Sequence, residues 1–143
     1  MDDHEYLRRA IALAEEAREQ GNPPFGSLLV SDSGVVLAED RNTTATARDL
    51  TAHPELKLAR WAGRELPAEQ ARTTTMYTSC EPCPMCASVI TRANLGRVVY
   101  ALSGEQLDEL KSRGIAHQGT AGVDYSGPHL PDEATAPFTG YYG

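Results

Sequence analysis

Two short segments, far apart along the chain, carry the residue types that hold a metal ion. The first contains His53 and Glu55, and the second contains Cys83 and Cys86, three positions apart. Side chains three positions apart share one face of a helix, so the two thiols can converge. One imidazole and two thiolates are three of the four ligands that zinc takes in a tetrahedron, which leaves one position for water. The fold must therefore bring these two segments together.

An open coordination position favours catalysis over a structural zinc site, which normally has four protein ligands. Zinc lowers the pKa of a bound water toward neutrality, and helix dipoles help to keep thiols deprotonated at helix starts. Glu55 can then carry protons from water to a ring nitrogen and to a departing amine. The alternatives are a closed zinc site that includes Cys80 and a thiol redox centre, but the latter leaves His53 and Glu55 without a role. We expect Cys80 to be a small buried residue.

Hydrophobic periodicity predicts helices and strands that alternate after an opening β-hairpin. The predicted helices cover 2–20, 53–63, 83–93 and 103–113, and the predicted strands cover 28–30, 35–38, 74–79 and 97–102. Ser103 and Gln106 fit a capping box at the start of the last helix, and Gly114 fits its end. This order argues for a mixed sheet with helices on both faces, a three-layer α/β/α sandwich.

The length of 143 residues predicts one domain over 1–143. Residues 115–143 are rich in Gly, Pro and Thr and have little periodicity, so we expect a loop-rich tail or lid rather than core. Three aromatic residues near its end, Phe138, Tyr141 and Tyr142, either cover the pocket or anchor the terminus on the surface.

The charge balance disfavours a nucleic-acid partner. The formal net charge is -7 at pH 7, so the averaged electrostatic field repels phosphate backbones. No stretch approaches the roughly twenty apolar residues that span a bilayer, and the acidic start MDDHEYLRR lacks the layout of a signal peptide. We therefore expect a cytoplasmic protein without a membrane partner.

The pattern H-x-E followed by P-C-x-x-C, here from His53 to Glu55 and from Pro82 to Cys86, is a known signature of zinc-dependent base deaminases. On it the chain resembles the cytidine/deoxycytidylate deaminase superfamily. Further segments, found over roughly the first three-quarters of the chain, resemble its guanine deaminase branch: PFG at 24–26, Asn42, DLTAH at 49–53 and TSCEPCPMC at 78–86.

The resemblance implies a cytidine deaminase-like sandwich, a bound Zn²⁺ and a small heterocyclic amine as substrate. It implies that Asn42 binds the base and that Phe25 lines the pocket. It also implies a homodimer, in which the C-terminal segment can cross over to close the neighbouring subunit's site.

The chain departs from these relatives at Pro54 and in its tail. At the position of Pro54, relatives usually have Ala or Gly. The backbone N–H of that Ala or Gly commonly donates a hydrogen bond to the heterocycle. Proline has no N–H, and a ring acceptor left unpaired there would cost about 1–3 kcal/mol. We infer that the substrate presents no acceptor at this point or binds in a rotated pose.

The sequence therefore predicts a hydrolytic deaminase that releases ammonia from an aminated nucleobase or nucleoside, foremost a guanine-like ring. A cytosine-type or amino-triazine substrate is the nearest alternative. A tRNA adenosine deaminase shares the core motif, but its substrate is polyanionic, which the acidic balance disfavours. A zinc-stabilised interaction module without activity is the non-enzymatic alternative.

Overall fold

Four strands form one mixed sheet in the computed structural model, which describes residues 2–113 and 122–142. The strands are β1 (Gly26–Val30), β2 (Val36–Arg41), β3 (Thr75–Cys80) and β4 (Arg97–Leu102), in the order β2-β1-β3-β4. Strand β1 is antiparallel to both β2 and β3, whereas β3 and β4 are parallel. The predicted opening hairpin and mixed sheet are confirmed.

Helices cover both faces of this sheet. In the described residues they are α1 (Asp3–Glu19), α2 (Pro54–Glu65), α3 (Ala68–Arg72), α4 (Pro84–Arg92), α5 (Gly104–Arg113), α6 (Pro131–Thr135) and a 3₁₀ turn at Ala136–Phe138. Successive strand residues point to opposite faces. Leu28 and Tyr77 pack with α1, while Leu29 and Met76 pack with α2 and α4. The predicted three-layer sandwich is therefore confirmed.

Gly26 allows α1 to approach the start of β1 closely. A Cβ atom there would overlap the carbonyl oxygen of Ala10 and the side chain of Leu13. Any larger residue would push helix and sheet apart, because the contact is with backbone on one side. This close approach explains the glycine of the PFG segment in physical terms.

Two helices begin with the same local signal. Pro54 and Pro84 occupy the first turns of α2 and α4, and the residues before them, His53 and Cys83, have extended backbone angles. Proline is tolerated at a first helical position because its missing N–H would have no intrahelical partner there. Each proline therefore fixes the start of a helix beside a candidate metal ligand.

The capping box that the sequence predicts for the helix after β4 is present. The Ser103 hydroxyl accepts the Gln106 N–H at 3.0 Å, and the Gln106 side chain accepts the Ser103 N–H at 2.9 Å. The predicted helix end at Gly114 lies outside the described residues, as does His117, which the sequence predicts to lie on the surface.

Three short helical segments are missing from the predictions. Helix α3 occupies a stretch that reads as a polar loop after Pro67, and α6 with the 3₁₀ turn occupies part of the tail. Segments of three to five residues are too short to show helical periodicity, which explains the omission. The tail is otherwise irregular, and all its described residues, 122–142, are exposed. No helix in the described ranges is long and apolar enough to cross a membrane.

Candidate functional site

The starts of α2 and α4 bring His53, Cys83 and Cys86 into one group. The His53 Nδ1 atom lies 3.7 Å from the Cys83 sulfur and 3.4 Å from the Cys86 sulfur, and the three donor atoms lie within 4.8 Å of one another. Zinc bonds of about 2.0–2.1 Å to nitrogen and 2.3 Å to sulfur in a tetrahedron place such atoms about 3.5–3.8 Å apart. The spacing and the donor types both fit a zinc ion.

The electrostatics of this group also fit a cation. Cys86 is fully buried, and burial raises the pKa of its thiol, with further increases from the nearby Glu55 and Cys83. Burial lowers the pKa of His53, which favours the neutral imidazole that metals bind. Thiols must lose their protons to bind a metal. A divalent cation between these groups would supply the positive charge that favours the thiolates.

Cys80 is not part of the group. It is buried on β3, and its sulfur is free, but the cluster of candidate ligands consists of His53, Cys83 and Cys86 within the described residues. Burial raises the pKa of the Cys80 thiol, with Glu55 as a second cause. The expected small buried cysteine is confirmed, and a closed four-ligand site finds no support in the described part of the chain.

Glu55 lies buried in the first turn of α2, at 4% exposure. The Ser27 hydroxyl donates to Glu55 Oε1 at 3.3 Å, and the Ser27 and Thr78 hydroxyls are 2.7 Å apart. The Thr78 hydroxyl in turn donates to the Gly26 carbonyl oxygen at 3.5 Å. The Ser27 hydroxyl therefore orients the Glu55 carboxyl group through its Oε1 atom.

Burial is the largest influence on the acidity of Glu55. It raises the pKa of the carboxyl group, and hydrogen bonds from the backbone N–H of Glu55 and from the Ser27 hydroxyl offset part of this rise. A carboxyl group with a raised pKa holds a proton closer to neutral pH than an exposed one does. This property suits a group that first accepts and then donates a proton.

Asn42 follows β2 and is buried at 2% exposure. Its Oδ1 atom accepts from the backbone N–H and the hydroxyl of Thr44, both at 2.9 Å. A backbone N–H can only donate, which identifies the accepting atom as oxygen rather than nitrogen. No fully buried side-chain polar atom in the described residues lacks a partner. The amide nitrogen has no hydrogen-bond partner among the described residues, so Asn42 can offer a ligand a donor.

The other predicted substrate-binding residues differ in their surroundings. Phe25 is half-buried, and its carbonyl oxygen accepts the Asn42 N–H at 2.9 Å, so these two residues are held side by side. Pro54 is fully buried at the start of α2. Tyr141 and Tyr142 are 74% and 83% exposed, and their rings contact each other edge-on at 4.9 Å. The roles of all four in substrate binding remain predictions.

Four polar residues near the site have no place in the sequence predictions: Ser27, Thr44, Lys57 and Thr78. The signal for Ser27 was available, because a serine directly before the apolar run Leu28–Val30, in a strand buried throughout, must find a hydrogen-bond partner. Lys57 follows Glu55 by two positions and makes three hydrogen bonds. Its partners are Asp40 and Arg41 at the end of β2 and Thr43 in the loop that follows, which no periodicity in α2 reveals.

The model of the cytidine and deoxycytidylate deaminase zinc-binding region matches residues 1–102. A guanine deaminase of Bacillus subtilis is 42% identical over 102 residues, which are 71% of this chain and 65% of that protein. The matched region thus spans about two-thirds of that relative. A probable cytosine deaminase of Schizosaccharomyces pombe is 31% identical over 155 aligned positions, covering 98% of this chain and 92% of that protein.

The fold is similar to a crystal structure of guanine deaminase from Bacillus subtilis. The TM-score is 0.81 at 33% identity, with 99% of this chain and 94% of that chain covered. The matched region includes both segments that hold the candidate ligands. The chain belongs to the family of the cytidine and deoxycytidylate deaminase zinc-binding region, whose members are hydrolases of C–N bonds in nucleobases and nucleosides.

Proposed function

We propose that this protein hydrolyses the exocyclic amine of a guanine-like free base. The observation that carries the proposal is the buried Glu55 carboxyl group beside three convergent donor atoms on His53, Cys83 and Cys86. The similarity to a guanine deaminase, in sequence and in structure, supports the choice of ring. The overall reaction adds water across the C–N bond and releases ammonia and the oxo form of the ring.

His53, Cys83 and Cys86 would hold the zinc ion. A zinc ion bound by such residues supplies a Lewis acid that makes water acidic enough to lose a proton near neutral pH. The chain's own contribution is to keep the three donor atoms together at the starts of two helices, each fixed by a proline.

Glu55 would move the protons. Its carboxyl group would accept a proton from the attacking water, deliver it to a ring nitrogen, and afterwards protonate the leaving amine. Ser27 supports this role because its hydroxyl occupies Oε1 and orients the carboxyl group. General acid–base catalysis of this kind contributes about 10²–10⁴-fold to a rate.

Asn42 would orient the ring through its amide nitrogen, which donates to a ring acceptor. Pro54 offers no donor at the start of α2, so the ring must bind without a hydrogen bond at that point. Phe25, next to Asn42, would form a wall of the pocket. These assignments favour a ring that presents an acceptor to Asn42 and whose edge facing Pro54 needs no hydrogen-bond donor from the protein.

A cytosine-type substrate is the second candidate. It is favoured by the similarity to a probable cytosine deaminase, which extends over nearly the whole length of both chains. A tRNA substrate is disfavoured by the net charge of -7, because binding of RNA relies on neutralising phosphates with basic side chains.

We also propose a homodimer in which the tail of one chain covers the site of the other. All described tail residues are exposed, although this segment contains Phe138, Tyr141 and Tyr142, whose rings contact only one another among the described aromatic side chains. Exposed aromatic groups of this kind mark interaction surfaces. Tyr141 and Tyr142 would then meet the substrate of the neighbouring subunit.

The test is ammonia release by the zinc-loaded protein across free bases, nucleosides and amino-triazines. Glu55→Gln is the inactive reference, and Glu65→Gln is the matched control, since Glu65 is exposed on the same helix. We expect guanine to be the best substrate and only Glu55→Gln to lose activity. Ammonia release from none of these compounds, or equal activity of Glu55→Gln and Glu65→Gln, would overturn the proposal.

A further inference from the structure

Lys57 connects the helix that begins the site to the loop that holds Asn42. Its amino group donates to Asp40 Oδ1 at 3.0 Å, to the Arg41 carbonyl oxygen at 2.9 Å and to Thr43 Oγ1 at 2.9 Å. An ammonium group has three N–H donors. All three are therefore used, and their acceptors belong to Asp40 and Arg41, the last two residues of β2, and to Thr43, directly after Asn42.

The main chain around Asn42 is held from other directions as well. The Asn42 N–H donates to the Phe25 carbonyl oxygen at 2.9 Å, and the Thr43 N–H donates to the Ala52 carbonyl oxygen at 3.1 Å. These bonds tie the loop to the start of β1 and to the segment before His53. Neither of them connects the loop to the body of α2. Lys57 makes that connection, two residues after Glu55.

The contacts of Lys57 are not those of an ordinary surface ion pair. The Lys57 and Asp40 side chains are 24% and 30% exposed, whereas two exposed charges would gain little from pairing. One of the three acceptors is a backbone carbonyl and another is a hydroxyl, so two of the three bonds are independent of the charge on Asp40. The arrangement fixes geometry as well as neutralising charge.

We propose that Lys57 is a positioning residue for substrate binding: it holds Asn42 at a set distance from the helix start that carries His53 and Glu55. The proposal rests on the function proposed above, in which Asn42 binds the ring. Loss of the three bonds would let the segment around Asn42 move relative to α2. The amide nitrogen of Asn42 would then no longer be held in position to donate to the ring. Substrate affinity would fall while the proton transfers by Glu55 would be little affected.

Lys57→Met tests this, with Lys111→Met as the matched control. Lys57 and Lys111 are the only lysines in the sequence, and Lys111 is exposed on α5, so the same chemical change is made in two settings. For the best substrate of the panel, we expect Lys57→Met to raise KM about tenfold and to change kcat by less than about twofold. Zinc content per chain should remain that of the unmodified protein.

A double-mutant cycle shows whether Lys57 acts through Asn42. Asn42→Ala should raise KM, and adding Lys57→Met to it should cause little further increase. Binding of the substrate to the same variants in the inactive Glu55→Gln background, measured by calorimetry, should give the same pattern in Kd. If Lys57→Met raises KM equally with and without Asn42, the proposal is wrong.

Two further outcomes separate the proposals. If Asn42→Ala leaves KM unchanged, the role of Asn42 in the proposed function fails, and with it the premise for Lys57. If Asn42→Ala raises KM but Lys57→Met matches Lys111→Met, only the positioning role is overturned. Should Lys57→Met fail to fold, Thr43→Val removes a single acceptor and should raise KM in the same direction by a smaller factor.

Discussion

Residues 2–113 and the described tail, 122–142, differ in solvent exposure. In the first region both faces of the sheet are covered, and Leu28, Leu29 and Met76 are completely buried. In the second, every residue is exposed, including Leu130 at 64%. The tail nevertheless contains large apolar side chains, which are usually buried against other apolar groups.

The difference suggests that residues 2–113 provide the stability of the fold, whereas the tail acts between chains. The core around β1 and β3 supplies packing for α2 and α4, the helices whose starts carry the candidate ligands and Glu55. The described part of the tail contributes no side chain to this core, and in the proposed dimer its apolar groups would contact the neighbouring chain. The predictions below test this division, beginning with the largest effect.

Cys86→Ser should abolish activity. It replaces a buried sulfur at the centre of the donor group, and losing the metal removes several kcal/mol of transition-state stabilisation, at least about a thousandfold in rate. Zinc content by atomic absorption should fall with the ammonia release. Cys80→Ser, which changes a buried cysteine outside the group, should retain zinc, and equal zinc loss in both variants would contradict the assignment.

Leu28→Ala should lower the free energy of unfolding by about 2–5 kcal/mol, because it opens a cavity in the layer between α1 and the sheet. Leu130→Ala makes the same change in the tail and should shift it by less than about 0.5 kcal/mol in dilute protein. Urea titration measures both. A comparable cost at Leu130 would show that the tail packs within its own chain.

Glu55→Gln should stabilise the zinc-free protein near neutral pH. Burial raises the pKa of Glu55 above its ordinary value of 4.5, so ionisation costs more in the folded than in the unfolded chain. Stability therefore falls as the pH rises above 4.5 and levels off above the folded-state pKa.

Thermal unfolding of the zinc-free protein checks this. The midpoint of Glu55→Gln should exceed that of the unmodified chain at pH 7.5, and the two should converge at pH 4. Glu65→Gln, on the exposed surface of the same helix, should follow the unmodified chain throughout. A Glu55→Gln difference that persists at pH 4 would point to packing rather than charge.

Tyr142→Ala should have the smallest effect on a single chain. The Tyr142 ring is 83% exposed, so the unfolding midpoint of dilute protein should hardly change. At high protein concentration the same substitution should weaken dimers in sedimentation experiments, because the tail would then lose an aromatic contact with the partner. A shift in dilute protein with unchanged dimerisation would reverse the roles assigned to the two regions.

Much of the fold was predictable because its signals are local. The amphipathic pattern of α1, the apolar runs of the strands and the capping box at Ser103 are properties of short segments, and the structure confirms them. The tail helix α6 was missed because five residues cannot display a helical period. The zinc donor set was predictable from residue types and spacing, since a histidine and two cysteines at these positions have few roles other than metal ligands.

The surroundings of the site were decided by tertiary structure. The hydroxyl of Ser27 lies within hydrogen-bond distance of Glu55, 28 positions away in sequence, and Lys57 has its three acceptors at the end of β2 and just after it, 14 to 17 positions earlier. Hydrophobic periodicity tells which face of a strand or helix is buried, but not which side chain of another element lies opposite. By itself, the sequence determined the chemistry of the donors and the layers of the fold. Only the packing of those layers decided which polar groups hold Glu55 and Asn42 in place.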